Sequence, residues 1–191
     1  MTEYPNWFES TEAKDNFTKY LAQYANQPDL NFLQLGVYTG DATVWLMDNI
    51  LTDKSSVLTD VDTWLGSEEE AHKALDFIEI FEHYKDRIAK YPNVYFHRLT
   101  TRQYLRFHPD DFVYDFIYID ADHTALGVLL DAELSWDLLK SGGIMAFDDY
   151  QWLSGKGTNY DPGPGIDRFL THHSAEFDVI HKGWQVWVVK K

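Results

Sequence analysis

Asn31-Phe32-Leu33-Gln34-Leu35-Gly36-Val37-Tyr38-Thr39-Gly40 is the stretch on which the fold turns. Its first five residues are mostly apolar, too few for a helix, and suited to a strand covered on both faces. Gly36 then permits a sharp turn, and Gly40 lets a following helix pack close. Asp41 to Leu51 has the length for that helix. Working outward, the same alternation recurs. Val57–Asp62, Val94–Leu99, Phe116–Asp120 and Ile144–Asp148 read as further strands, also covered on both faces. A helix is expected to open at the capping box Ser67-Glu68-Glu69-Glu70 and to run towards Ala89. Thr124 is placed to cap another, with Leu126, Leu130, Leu134 and Leu138 at helical spacing and a stop at Gly142-Gly143. Strands alternating with helices imply right-handed crossovers and a parallel sheet with helices on both faces.

The C-terminal part departs from that rhythm. Phe177–His181 and Trp184–Val189 are separated only by Lys182-Gly183, too short a gap for a crossover, so they form an antiparallel hairpin. The expectation is α/β: a doubly wound, mostly parallel sheet with a mixed edge. Gln151 to Gly163 reads as a long loop of the kind that serves as a lid, followed by a helix near Pro164. The 191 residues suit one domain, with residues 1–30 a helical segment ahead of a core over 31–191.

Composition narrows the function. There are 31 acidic against 16 basic residues, a net charge of −15. That sign repels phosphate backbones and anionic membranes, so neither nucleic acid nor membrane is an expected partner. No apolar run approaches 18 residues and no basic-then-apolar leader opens the chain, which fits a cytoplasmic protein. The absence of cysteine removes thiol chemistry and zinc ribbons. Converging carboxylates would favour a divalent cation.

In open parallel sheets, ligands sit beyond the carboxyl ends of the strands. The first strand ends at the Gly36–Gly40 turn, which lacks the middle glycine of a pyrophosphate-binding loop because Tyr38 and Thr39 fill the space. The second ends at Asp62, placed to accept hydrogen bonds from ribose hydroxyls, with Asp60 deeper on the same face. Thr100, after the third, either meets an adenine edge or caps the next helix. The fourth and fifth end in Asp120-Ala121-Asp122-His123 and Asp148-Asp149-Tyr150. Adjacent strands would gather Asp120, Asp148 and Asp149. Such a group needs a compensating charge, which a hard cation such as Mg²⁺ supplies, unless the acids cap helices or point apart. His123 reads as a base or outer residue rather than a ligand, since Mg²⁺ prefers oxygen. His172, His173 and His181 read as structural or surface residues.

FIYIDADH (116–123), LSWDLLKSGGIMAFDDY (134–150) and the terminal HKGWQVWVVKK make the chain resemble class I S-adenosylmethionine-dependent methyltransferases, and more narrowly the metal-dependent O-methyltransferases that act on macrocin and other antibiotic sugars. The resemblance implies a Rossmann-like sheet of seven strands whose last is antiparallel. It implies S-adenosylmethionine at Gly36, Gly40, Asp62 and, on the adenine side, Thr100. It implies Mg²⁺ or another divalent cation on Asp120, Asp148 and Asp149, and Asp122 as base, with His123 the alternative. The acceptor it implies is a hydroxyl of a small molecule or sugar; the cleft that takes it is either open or closed by a second subunit of a homo-oligomer. Gln34 stands where the family usually has Glu or Asp; it keeps an acceptor for the cofactor's amino group and loses the charge. Two other readings stay open: a nucleotide-cofactor enzyme of another class on the same sheet, and an inactive cofactor-binding module.

Overall fold

The computed structural model describes residues 4–67, 72–109 and 112–191. Two short helices, α1 (Trp7–Ser10) and α2 (Ala13–Tyr20), precede the sheet. Then follow β1 (Asn31–Leu35), α3 (Asp41–Asn49), β2 (Val57–Asp62), α4 (Phe77–Ile88), β3 (Val94–Arg98), α5 (Thr101–Arg106) and β4 (Tyr114–Ile119). The chain continues with α6 (Ala125–Trp136), β5 (Leu139–Phe147), α7 (Pro162–His172), β6 (Phe177–Lys182) and β7 (Val186–Lys190). The seven strands form one sheet in the order β3-β2-β1-β4-β5-β7-β6. β1 to β5 run parallel, β7 pairs antiparallel with β5, and β6 with β7. The expected α/β architecture, with its antiparallel C-terminal hairpin, is the observed one.

The period of two along each strand builds the two faces. Leu33, Leu35, Ile117, Ile119, Met145 and Phe147 pack towards α6 and α7. Phe32, Phe116, Tyr118, Ile144 and Ala146 pack towards α2 and α3. Phe17 of α2 has no exposed surface, and its ring meets Phe8, Trp45, Phe116, Tyr118 and Trp187 edge to face, with centroids 5.0 to 6.0 Å apart. The N-terminal segment is thereby keyed into the sheet beside β7.

Four expectations need correction. The helix expected from Ser67 begins at Phe77, where the Asp76 carboxylate caps it by accepting from the amides of Ile78 and Glu79. Ser67 itself is not helical, and Glu68, Glu69 and Glu70 lie outside the described residues. Thr124 does cap α6, accepting from Gly127 N at 3.0 Å. That helix, however, stops at Trp136, and Gly142-Gly143 lie inside β5, because the Leu138 carbonyl is already taken by Tyr114 N at 2.7 Å and draws the chain into the sheet. The leucine stripe is not its buried face: Leu126 is 61% and Leu134 43% exposed, while Gly127, Val128, Asp131, Ala132 and Ser135 face the core. Finally, β3 is an edge strand with one neighbour, so Tyr95 and Phe96 are exposed rather than covered on both faces.

Candidate active site

The carboxyl ends of β1, β2, β4 and β5 open into one cavity of roughly 740 Å³. Its floor is the turn after β1. Gly36 has φ +87°, and a Cβ there would fall 1.8 Å from the Asp120 carbonyl oxygen, so only glycine lets β1 and β4 end side by side. Gly40, at φ +79°, starts α3. Asp62 holds the turn: its Oδ2 accepts from the amides of Val37 and Tyr38 at 2.8 and 3.0 Å, and its Oδ1 from Trp64 N at 2.7 Å. Tyr38, at φ 54°, is a non-glycine residue held in the left-handed region at this turn.

Behind the turn lies a buried polar group. Gln34 and Asp60 are register partners on β1 and β2. Burial pushes the Asp60 carboxyl up to about 7, against the lowering effect of hydrogen bonds from Thr43 and Tyr84, at 2.7 and 2.8 Å. The Thr43 hydroxyl has one proton, and it goes to Asp60 rather than to Gln34 Oε1, 3.4 Å away. Gln34 Nε2 donates to Gly36 O at 3.0 Å. Gln34 Oε1 therefore keeps acceptor capacity at the cavity wall. A second carboxylate at position 34 would stand beside a buried Asp60, which gives a physical reason for the neutral residue.

Thr100 lines the cavity and also caps α5, in a reciprocal pair with Gln103. Leu99 beside it is 39% exposed towards the same space. Of the two roles open to Thr100, the helix cap is the one its hydroxyl bonds display.

The acidic end gathers more than carboxylates. His123 Nε2 lies 3.3 Å from Asp120 Oδ1 and 3.4 Å from Asp149 Oδ2. One atom from each of Asp120, His123 and Asp149 falls within 4.8 Å of the others, a donor set suited to a divalent cation. Burial, with the neighbouring Asp148, pushes the Asp120 carboxyl up to about 8. Asp149 has φ 56°, and Trp184 Nε1 donates to its Oδ1 at 3.1 Å. Asp148 is turned inward: Oδ2 accepts from the Tyr118 hydroxyl and from Gln185 Nε2 at 3.2 Å, and Oδ1 from Asp149 N at 2.7 Å. These leave it about one of the four acceptor positions of a carboxylate. Asp122 also lines the cavity: Oδ1 accepts from Thr124 N at 3.1 Å and Oδ2 pairs with Arg102 at 3.3 Å.

Several residues of this site carry no motif. Trp7 of α1, Trp152, Tyr160 and Trp184 line the cavity, and Trp152 meets the His123 ring edge to face at 5.6 Å. The one sequence signal for Gln185 is a lone amide between Trp184 and Trp187 in an otherwise apolar run. Among the described residues no helix is long and apolar enough to cross a membrane.

Solved structures share this architecture. An O-methyltransferase from Bacillus cereus, solved with S-adenosylhomocysteine, aligns over 100% of this chain and 84% of its own, with TM-score 0.63 and 18% identity. TomG from Streptomyces achromogenes, an O-methyltransferase of tomaymycin synthesis solved with S-adenosylmethionine, covers 95% of this chain and 81% of its own at TM-score 0.66 and 15% identity. A Clostridium thermocellum protein assigned as an rRNA-methylase covers 100% of both chains at TM-score 0.68 and 12% identity. No curated protein matches the chain in sequence. The sequence model of a methyltransferase domain matches residues 33–150, more than half of the chain, and the protein therefore belongs to that family of S-adenosylmethionine-dependent methyltransferases.

Proposed function

We propose that the protein methylates a hydroxyl of a small molecule, a sugar hydroxyl foremost, with a divalent cation beside the acceptor. One observation carries this reading: Asp120 and Asp149 offer oxygens within 4.8 Å of each other, with His123 beside them, in the cavity that also holds the glycine turn and Asp62. The residues fit both groups. Asp62 keeps an acceptor position for a ribose hydroxyl, Gln34 Oε1 can accept from an ammonium, and Leu99 and Thr100 offer a wall to adenine. Asp120, Asp149 and the remaining acceptor position of Asp148 would hold the cation. When bound, S-adenosylmethionine supplies an activated methyl on sulfonium, and the cation lowers the pKa of an adjoining hydroxyl.

His123 is the base in this reading. Its Nε2 lies 3.3 Å from Asp120 and 3.4 Å from Asp149, beside the place of the cation, while Asp122, tied to Thr124 N and Arg102 but with acceptor positions to spare, is the alternative base. With acceptor and cofactor bound, His123 would take the acceptor's proton as the oxygen–carbon bond formed and the carbon–sulfur bond of the sulfonium broke, its electron pair leaving on S-adenosylhomocysteine. Trp7, Trp152, Tyr160 and Trp184 give flat apolar faces beside polar groups, a surface suited to a sugar ring or a phenol. The carboxylate-rich cavity repels phosphate, which favours a small acceptor over nucleic acid.

The test is turnover, read as S-adenosylhomocysteine release over a panel of sugar and catechol acceptors, on chelator-treated protein with and without Mg²⁺. Turnover should require the added ion. His123→Ala should lower kcat by about 10²–10⁴-fold, the usual worth of a positioned base, with cofactor affinity retained. Equal turnover after chelation would remove the cation from the reading, and a His123→Ala variant as fast as the parent would remove the base.

A further inference from the structure

Gln185 is fully buried, and every polar atom of its side chain has a partner on the N-terminal segment, on β7 or on the acidic cluster. Its Oε1 accepts from Asn16 Nδ2 at 3.0 Å and from Trp187 Nε1 at 2.9 Å. The indole can only donate, so the amide orientation is fixed. Nε2 must then face the other way, where it donates to Asp148 Oδ2 at 3.2 Å and approaches the Tyr118 hydroxyl at 3.3 Å. The backbone is tied as well: Gln185 N donates to Glu12 Oε1 at 2.7 Å, and the same oxygen meets His181 Nε2 at 2.9 Å. Trp184, the preceding residue, holds Asp149.

We propose that Gln185 is the positioning residue of the cation cluster, coupling the docking of α2 to the orientation of Asp148. The chain of contacts runs from Glu12 and Asn16, through the Gln185 amide, to Asp148 Oδ2. From there Asp148 Oδ1 holds the amide of Asp149, whose backbone sits in the left-handed region. Without the Gln185 donor, Asp148 would keep Tyr118 and the Asp149 amide but lose the contact that ties its orientation to the N-terminal segment. Partners of this kind behind a ligand set the affinity of the ion; their loss costs about 10–100-fold.

This inference rests on the cation reading above, and its test separates the two. The probe is Mn²⁺ alone, titrated into the full-length protein and followed by the loss of the free-ion electron paramagnetic resonance signal, beside calorimetry of S-adenosylhomocysteine. The parent should bind Mn²⁺. Gln185→Glu keeps an acceptor for Asn16 and Trp187 and removes the donor facing Asp148; Gln185→Met removes both functions at similar volume. Both should bind Mn²⁺ about 10–100-fold more weakly, with S-adenosylhomocysteine affinity within a few-fold of the parent. Asn16→Ser leaves Gln185 in place and removes one of the donors that orient it, and should give a smaller loss of the same kind. It decides the matter if the Gln185 variants do not fold. Variants that bind Mn²⁺ as well as the parent overturn the role of Gln185 while leaving the cation site standing. A parent that binds no Mn²⁺ at millimolar concentration overturns the cation reading, and this inference with it.

Discussion

Asp60 shows what one buried carboxyl does to the stability of the chain. Its ordinary value is 3.8, and burial raises it to about 7 in the fold. Below pH ~4 the group is protonated whether the chain is folded or not, and it costs nothing. Between ~4 and ~7 the unfolded chain ionises while the folded chain keeps its proton, so stability falls as pH rises. Above ~7 the loss is complete, at most about 4 kcal/mol by linkage. Asp60→Asn should therefore flatten the fall in Tm between pH ~5 and pH ~8, measured by calorimetry against the parent. An unchanged slope would show that other groups carry it. At this scale the sequence was only partly readable. Asp60 could be placed deeper than Asp62 from strand alternation, but its partner Tyr84 comes from α4, 24 residues away, and nothing local announces that contact. The convergence of Asp120 and Asp149 was foreseeable because adjacent strand ends fix it. The inward turn of Asp148 was not, because it depends on Gln185 of the hairpin, which pairs across the sheet.

Elements were legible where chemistry is local. β1 and β2 have the expected boundaries, and Thr124 caps α6 as its position suggested. They were misread where packing decides. The leucine spacing of α6 marks a helix but not its buried face, because the side turned inward is the one narrow enough to accept α7. Gly165 of α7 makes this concrete: a Cβ there would fall 2.1 Å from the Ala125 carbonyl oxygen and 2.6 Å from Val128 Cγ1. Gly165→Ala, which would stabilise an isolated helix, should here destabilise the protein by about 1–3 kcal/mol, the usual cost of overpacking. Equilibrium denaturation in urea should show the lower midpoint. A rise in stability would mean that α6 and α7 separate without cost.

For the molecule as a whole, the net charge of −15 is a uniform load on the compact state. Raising NaCl from ~10 to ~150 mM screens charges beyond a Debye length of roughly 8 Å and should raise Tm; a fall would mean that specific ion pairs outweigh the general repulsion. The global plan of the sheet was readable from the rhythm of strands and helices, since short crossovers leave few topologies. The shape of the cavity was not, because α1, the 151–163 stretch and Trp184 meet around it only in three dimensions. Gly36 carries a consequence of its own. Because no side chain stands between its α-carbon and the Asp120 carbonyl, the glycine turn and the acidic cluster share a single party wall. Neither side can drift without carrying the other, so a side chain introduced at Gly36 would push apart both ends of the cavity at once.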